Sequence, residues 1–196
     1  MSTYKDASRG NLVTKNTIYV ASLTALSIVL KLRFFEIPYP PAPFLKYDIS
    51  GVPLAVIAFL SFRYVPFSLI AYFLVHLALG ADPIGMAMKC LAELSTFTPL
   101  VFIYRKLRHS RSLKASALIM AVVSRVLVMT IANYLVTPHW LLWARWAQTF
   151  EDAYAKTIVI LPHVAVFNAT LAVVVSLLSM IVFNVLEKTG LLHEEQ

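Results

Sequence analysis

Six apolar stretches, at 16–35, 52–62, 65–79, 84–104, 115–136 and 158–186, occupy most of this 196-residue chain. Several come close to the roughly 20 residues that an α-helix needs to cross a hydrocarbon layer. The second and third are shorter and are divided at Arg63 and Pro66, so they read as tilted or tightly turned; the last is long enough to tilt or to protrude. Hydrophobic residues make up 59% of the chain and the mean hydropathy is +0.74, which puts most of it in lipid rather than water. A lipid-embedded barrel would need strands of alternating polarity, and these runs are apolar on all sides. The fold class expected is therefore an all-α integral membrane protein: one domain, 1–196, a six-transmembrane-helix bundle with no room for a soluble domain. No internal repeat is visible, so an inverted-repeat transporter is not supported.

Charge placement sets the expected orientation. Lys5, Arg9 and Lys15 precede the first run, but no small-residue cleavage site follows it, so it reads as a retained helix rather than a signal peptide. With a cytoplasmic N-terminus, the inner segments hold Lys5, Arg9, Lys15, Arg63, Arg105, Lys106, Arg108, Arg111, Lys114 and Lys188. The outer ones hold only Lys31, Arg33, Lys46, Arg145 and Lys156. That bias predicts both termini in the cytoplasm. It also accounts for most of the net charge of +7, and the basic loop at 105–114 is too short to read as a nucleic-acid site.

Several chemistries lack their residues. There is no phosphate-binding Gly-x-x-x-x-Gly-Lys-Ser/Thr loop, and no His-Glu-x-x-His or Cys-x-x-Cys pair that would suggest a metal. His76, His109, His139, His163 and His193 are scattered, and no Ser or Thr is persuasively spaced with a base for hydrolysis. Cys90 is a packing thiol, and the sequon at Asn168-Ala169-Thr170 lies inside an apolar run. The chain reads as one that binds rather than reacts: no enzyme, no cofactor, no metal.

The residues that could bind are those hydrocarbon should have excluded. Lys89 and Glu93, four apart, share a helix face and can pair. A central Lys costs about 2.5–3.5 kcal/mol on insertion scales, so it should face the bundle interior or a cavity. Asn133, His163 and Asn168 are candidates in the fifth and sixth runs, with interhelical hydrogen bonding as the plain alternative. Arg125 reads as a cation that snorkels toward the cytoplasmic interface. Between the first two runs, Pro38, Pro40, Pro41 and Pro43 crowd four prolines into six positions among aromatic residues, giving a stiff extended segment. On the expected topology this segment is extracellular and could cap a pocket. Trp140, Trp143 and Trp146 read as an aromatic belt in the loop after the fifth run, although their clustering also suits stacking on a flat heterocycle. Ala21 and Ala25 have the small-x-x-x-small spacing that lets another helix approach closely.

Taken in order, these stretches resemble the substrate-binding S component of an energy-coupling factor (ECF) vitamin transporter, most of all its riboflavin-binding members. The similar segments are Phe44-Leu45-Lys46-Tyr47-Asp48-Ile49-Ser50-Gly51-Val52-Pro53, Asp82-Pro83-Ile84-Gly85, Pro99 with Ile103-Tyr104-Arg105, Val128-Met129-Thr130-Ile131-Ala132-Asn133-Tyr134, and Ile160-Leu161-Pro162. The resemblance implies six helices in a prokaryotic cell membrane, with a vitamin captured under the first extracellular loop. It also implies energising partners, a transmembrane T component and two ATPases, with Ala21 and Ala25 at the positions that dock on the T component. Ligand-binding positions implied by the resemblance and by the intramembrane polar residues together are Phe44, Leu45, Lys46, Asp48, Lys89, Glu93, Asn133, His163 and Asn168. The bound substrate expected is riboflavin or a related flavin.

The chain departs from the riboflavin-binding pattern at three places. Val164 and Phe167 stand where an Asn and a Lys are usual after the proline that opens the sixth helix, and Lys89 stands in place of an Asn in the fourth. Asn133 keeps the amide of the fifth. Another vitamin or small heterocycle is therefore the alternative substrate. A small intramembrane enzyme working through Lys89–Glu93 or His163, and a purely structural membrane subunit, are remote alternatives.

Overall fold

The computed structural model describes residues 2–106 and 111–189, with side chains from 14 to 106 and from 114 to 189. His109 and His193, Arg108, and the side chains of Lys5, Arg9 and Arg111 lie outside this description. The described backbone forms six α-helices: α1 Ser2–Leu30, α2 Gly51–Leu60, α3 Val65–Ala78, α4 Pro83–Lys106, α5 Arg111–Trp143 and α6 Phe150–Lys188. Among the described residues, α4, the part of α5 from Lys114 and α6 are long and apolar enough to cross a membrane, and Gly51–Leu60 and Phe62–Ala78 are shorter apolar helices.

α2 is short because it is central. Every one of its ten residues is buried, with α1, α3, α4 and α6 packed around it. A helix that is hydrophobic all round needs protein on every side. Its ten residues rise only roughly 15 Å, half the thickness of a hydrocarbon core. At its C-terminal end Phe59 stacks on Phe183, with centroids 4.9 Å apart, and meets Tyr104 edge-on. Arg105 Nη2 donates to the Phe59 carbonyl at 2.7 Å, satisfying one of the acceptors that a helix end leaves open. α4, α5 and α6 pack on one another alongside. α6 has 39 residues and rises roughly 58 Å, well beyond a hydrocarbon core.

Three boundaries differ from the apolar runs. α1 stops at Leu30, before Phe34 and Phe35, because Arg33–Phe35 closes into a 3-10 turn. α5 continues through Pro138 to Trp143, so Trp140 and Trp143 are helical rather than in a loop. Proline inside a helix removes one N–H, here the partner of the Tyr134 carbonyl, and packed neighbours allow the helix to continue. α6 likewise runs through Pro162 from Phe150.

The proline-rich segment is extended as expected, but it is paired. β1 (Ile37–Tyr39) and β2 (Ala42–Tyr47) form an antiparallel hairpin in which Ile37 faces Tyr47 and Pro38 faces Lys46. Proline cannot donate to a ladder, which is why it is tolerated in so narrow a sheet, where every strand is an edge. Tyr39 and Tyr47 lean on Phe167 of α6, with centroids at 5.8 and 4.8 Å, and the Tyr47 and Thr170 hydroxyls lie 2.8 Å apart. Aromatic contact thus fastens the hairpin to the side of α6.

Candidate ligand-binding site

Under the hairpin lies a cavity of about 830 Å³, lined from the segment that follows α1, the hairpin and each of α3 to α6. Its volume is within the range usual for small-molecule pockets, roughly 300–1,000 Å³. One end is aromatic. Phe44 of β2 sits 6.0 Å from Trp140 and 6.1 Å from Trp146, and the two indoles lie 5.2 Å apart. Trp140 Nε1 donates to Asp82 Oδ2 at 3.1 Å, which ties the end of α5 to the start of α4. The same Asp82 oxygen accepts the Gly85 N–H at 2.6 Å, capping α4. Asp82 Oδ1 and His76 Nε2 are buried and have no hydrogen-bond partner among the described residues. Both residues line the cavity.

The other end is ionic. Lys89 lies roughly 10 Å further along α4 than Asp82, and Arg125 roughly 22 Å back along α5 from Trp140, by helical rise. Asp48 is 4% exposed. Its Oδ1 accepts the Ser50 backbone N–H at 3.0 Å and also bonds the Ser50 hydroxyl, an Asx turn leading into α2. Lys89 Nζ donates to both Asp48 oxygens, at 3.0 and 3.1 Å, and Lys31 Nζ stands 3.8 Å from Oδ2. Burial pushes the Asp48 carboxyl up, but Lys89, Lys31 and the Ser50 hydroxyl outweigh it and hold its pKa below the ordinary value.

Lys89 also pairs with Glu93 Oε1 at 2.9 Å, the i,i+4 contact the sequence predicts. Glu93 is fully buried, and neither of its oxygens accepts a well-aligned hydrogen bond among the described residues. A Cβ on Gly51 would overlap its Oε2, so the carboxylate rests directly on the first turn of α2. The positive end of a helix is a favourable place for an anion. Beyond Glu93 stands Arg125, 1% exposed, its Nη1 3.4 Å from Oε1. Its Nε donates to Asn168 Oδ1 at 3.0 Å and its Nη1 to Thr96 Oγ1 at 3.2 Å. The snorkelling expectation for Arg125 is thus corrected: a carboxylate, an amide and a hydroxyl on α4 and α6 hold the guanidinium inside.

Of the residues expected to bind, Phe44, Leu45, Lys46, Asp48, Lys89, Asn133 and Asn168 all line the cavity. Asn133 is committed locally: its Nδ2 donates to the Met129 carbonyl and its Oδ1 accepts from Thr137. Glu93 lies behind the lining, reaching it through Lys89 and Arg125. His163 is exposed and stays outside the lining, its ring 6.3 Å from Tyr39. Lys31, Glu36, Asp82, Arg125, Trp140 and Phe167, which were outside the expected ligand-binding set, also line it. Glu36 closes on Lys31 and accepts from Lys46 Nζ at 2.6 Å, linking the end of α1 to β2. Burial pushes the Glu36 carboxyl up, yet these two lysines bring its pKa below the ordinary value. Ala21 and Ala25 are exposed on α1, while Thr24 and Ser27 between and beyond them are buried, Thr24 against Ser68 and Ser27 on the Ser50 carbonyl. No group of His, Cys, Asp or Glu among the described residues could hold a metal ion.

No protein-family model matches the chain. It is 26% identical over 178 residues to the riboflavin transporter FmnP of Bacillus subtilis (strain 168), covering 86% of this chain and 90% of that protein. Among solved structures it superposes on the S component of a bacterial ECF transporter with a TM-score of 0.70, covering 90% of this chain and 98% of that one at 24% identity. These similar proteins are transport proteins, not enzymes. The chain has the fold of the S component of an ECF transporter and a sequence similar to that of a riboflavin transporter, the resemblance its own residues carry.

Proposed function

We propose that this chain is the substrate-binding S component of an ECF-type vitamin importer and that its substrate is a flavin, riboflavin first. The observation that carries the reading is the cavity itself, aromatic at one end, ionic at the other, and covered by a stiff hairpin. A flat heteroaromatic ring suits Phe44 and Trp140, and its N–H and carbonyl edge suits Asp82 Oδ1 and His76 Nε2, which lack partners. A polyhydroxyl tail suits Lys89, Asp48, Arg125 and Asn168, because a buried polar group left without a partner costs about 1–3 kcal/mol. Leu45 and Lys46 close the site from the hairpin, Asn133 offers its amide from α5, and His163 steadies the hairpin beside Tyr39.

In this reading the six-helix bundle lies across a prokaryotic cell membrane with α2 enclosed at its centre, the hairpin is extracellular, and both termini are cytoplasmic. Energy comes from a separate T component and two ATPases, and the exposed Ala21 and Ala25 form the docking strip on α1. The substitutions at Lys89, Val164 and Phe167 favour one second reading, in which the same subunit takes another vitamin or small heterocycle. The test is the visible spectrum of the purified protein in detergent, before and after denaturation, followed by titration with riboflavin. A stoichiometric yellow chromophore, or saturable quenching of added riboflavin, is the expected result. A colourless protein that leaves riboflavin fluorescence unchanged removes the flavin and leaves the second reading.

A further inference from the structure

Four charged side chains at the ionic end balance one another. Lys89 and Arg125 supply two positive charges and Asp48 and Glu93 two negative ones, connected by contacts of 3.0, 2.9 and 3.4 Å. The side chains of Asp48, Glu93 and Arg125 are at most 1% exposed and that of Lys89 is 11% exposed. Of the other cations that line the cavity, Lys31 is paired with Glu36 and so adds no net charge where it nears Asp48, while Arg33 is exposed and Lys46, also on Glu36, is 36% exposed. Excess positive charge therefore sits at the rim, and the interior set is neutral. A neutral set of donors and acceptors offers hydrogen bonds to a hydroxyl group but no net attraction to an anion. A phosphate there would meet Asp48 directly, with Glu93 immediately behind the two cations.

From this balance we infer that Arg125 and Glu93 determine specificity in this cavity, selecting an uncharged polyhydroxyl tail and rejecting its phosphate ester. Arg125 touches the ligand space; Glu93 is a positioning residue that acts through Arg125 and Lys89. The inference rests on the flavin reading above and adds to it the charge class of the tail.

The experiment is a titration of the full-length protein in detergent with riboflavin, riboflavin 5′-phosphate and lumiflavin, which has no hydroxyl tail, read by flavin fluorescence. Wild type should bind the phosphate at least about tenfold more weakly than riboflavin. Lumiflavin should be weaker by up to about 100-fold, because the tail's partners lose their hydrogen bonds. Glu93→Gln leaves the interior with one net positive charge, so the Kd ratio of phosphate to riboflavin should fall about tenfold. That is the effect of one unit charge on another roughly 12 Å away at an effective dielectric constant near 20. Arg125→Gln should raise the ratio, and the double variant should return it toward wild type. A structural role alone would change both affinities together and leave the ratio still.

Equal wild-type affinity for riboflavin and its phosphate would overturn the inference with no variant needed. So would a ratio that moves the same way, or not at all, in the two single variants. If the wild type binds none of the three flavins, the flavin reading itself has failed, which is a different result. Where a single variant does not fold, the wild-type comparison and the charge-balanced double variant still decide.

Discussion

The loss of Lys89 should be costly, and the size of the effect follows from its neighbours. Its ammonium makes three short contacts, with both Asp48 oxygens and with Glu93 Oε1. Lys89→Met keeps the stem and removes the charge. Two buried carboxylates then lose their nearest cation, and only Lys31 at 3.8 Å and Arg125 at 3.4 Å remain. Removing one partner of a buried ion pair costs about 3–5 kcal/mol, because the other is left charged and dry. The residual cations put Lys89→Met near the lower end, about 3 kcal/mol. For a chain of this size, 1 kcal/mol moves Tm by about 2–4 °C, so the expected drop is roughly 6–12 °C.

The assay is thermal unfolding in detergent without ligand, with Lys46→Met as the control. Lys46 is also paired with a carboxylate, but it is the most exposed member of the network, and exposed pairs contribute at most about 1 kcal/mol. If both variants lower Tm equally, the buried network is not what distinguishes Lys89. Asp48→Asn combined with Lys89→Met should recover part of the loss, since the amide removes one of the stranded charges while keeping the Ser50 contacts. A double variant as unstable as the simple sum of the two single variants would refute the coupling.

Gly51→Ala should lower Tm, because its Cβ would enter the space of the Glu93 carboxylate; an unfolding curve that matches wild type would refute that contact. Ala21 and Ala25 replaced by bulky residues should abolish vitamin uptake in cells and spare ligand binding by the purified protein; equal loss of both would remove the docking role. Glu36 gives a pH dependence. Its folded pKa lies below the ordinary value, so its stabilising effect is complete above the ordinary carboxylate range, about 4.3, and disappears as pH falls through the lowered pKa. The wild-type advantage in Tm over Glu36→Gln should therefore be flat near neutral pH and vanish in acid; an advantage that grows in acid would reverse the sign.

What the sequence made legible was whatever depends on neighbours along the chain. The apolar runs predict the helices because hydrocarbon demands length and uniformity, and Lys89 with Glu93 is visible because four residues make one helical turn and a little more. Arg125 was misread because its partners, Glu93, Thr96 and Asn168, come from two other helices, and no spacing within α5 announces them. Trp140 was placed in a loop because Pro138 looks like a terminus when the packing that carries the helix past it is unseen. The hairpin had the same difficulty: four prolines declare an extended chain, but pairing Ile37 with Tyr47 depends on Tyr39, Tyr47 and Phe167 meeting across 120 residues and more.

The ionic end also bears on why such an apolar bundle carries so many charges at one place. Replacing a buried ion pair with matched hydrophobic residues is often neutral or stabilising, so stability alone does not explain four of them. Their geometry does something an apolar core cannot. Asp48 is fixed by the Ser50 amide, Lys89 by Asp48, and Arg125 by Asn168 and Thr96, so the donors and acceptors at the cavity wall hold their positions without a ligand. A ligand that meets groups already ordered pays less conformational entropy on binding. The network joins the loop before α2, the middle of α4, α5 and α6, and Lys31 extends it to the end of α1 and, through Glu36, to the hairpin. A ligand hydroxyl inserted between Lys89 and Asp48 would therefore bear on the same contacts that hold the cover, which is the arrangement a binding subunit needs if occupancy is to be sensed at its surface.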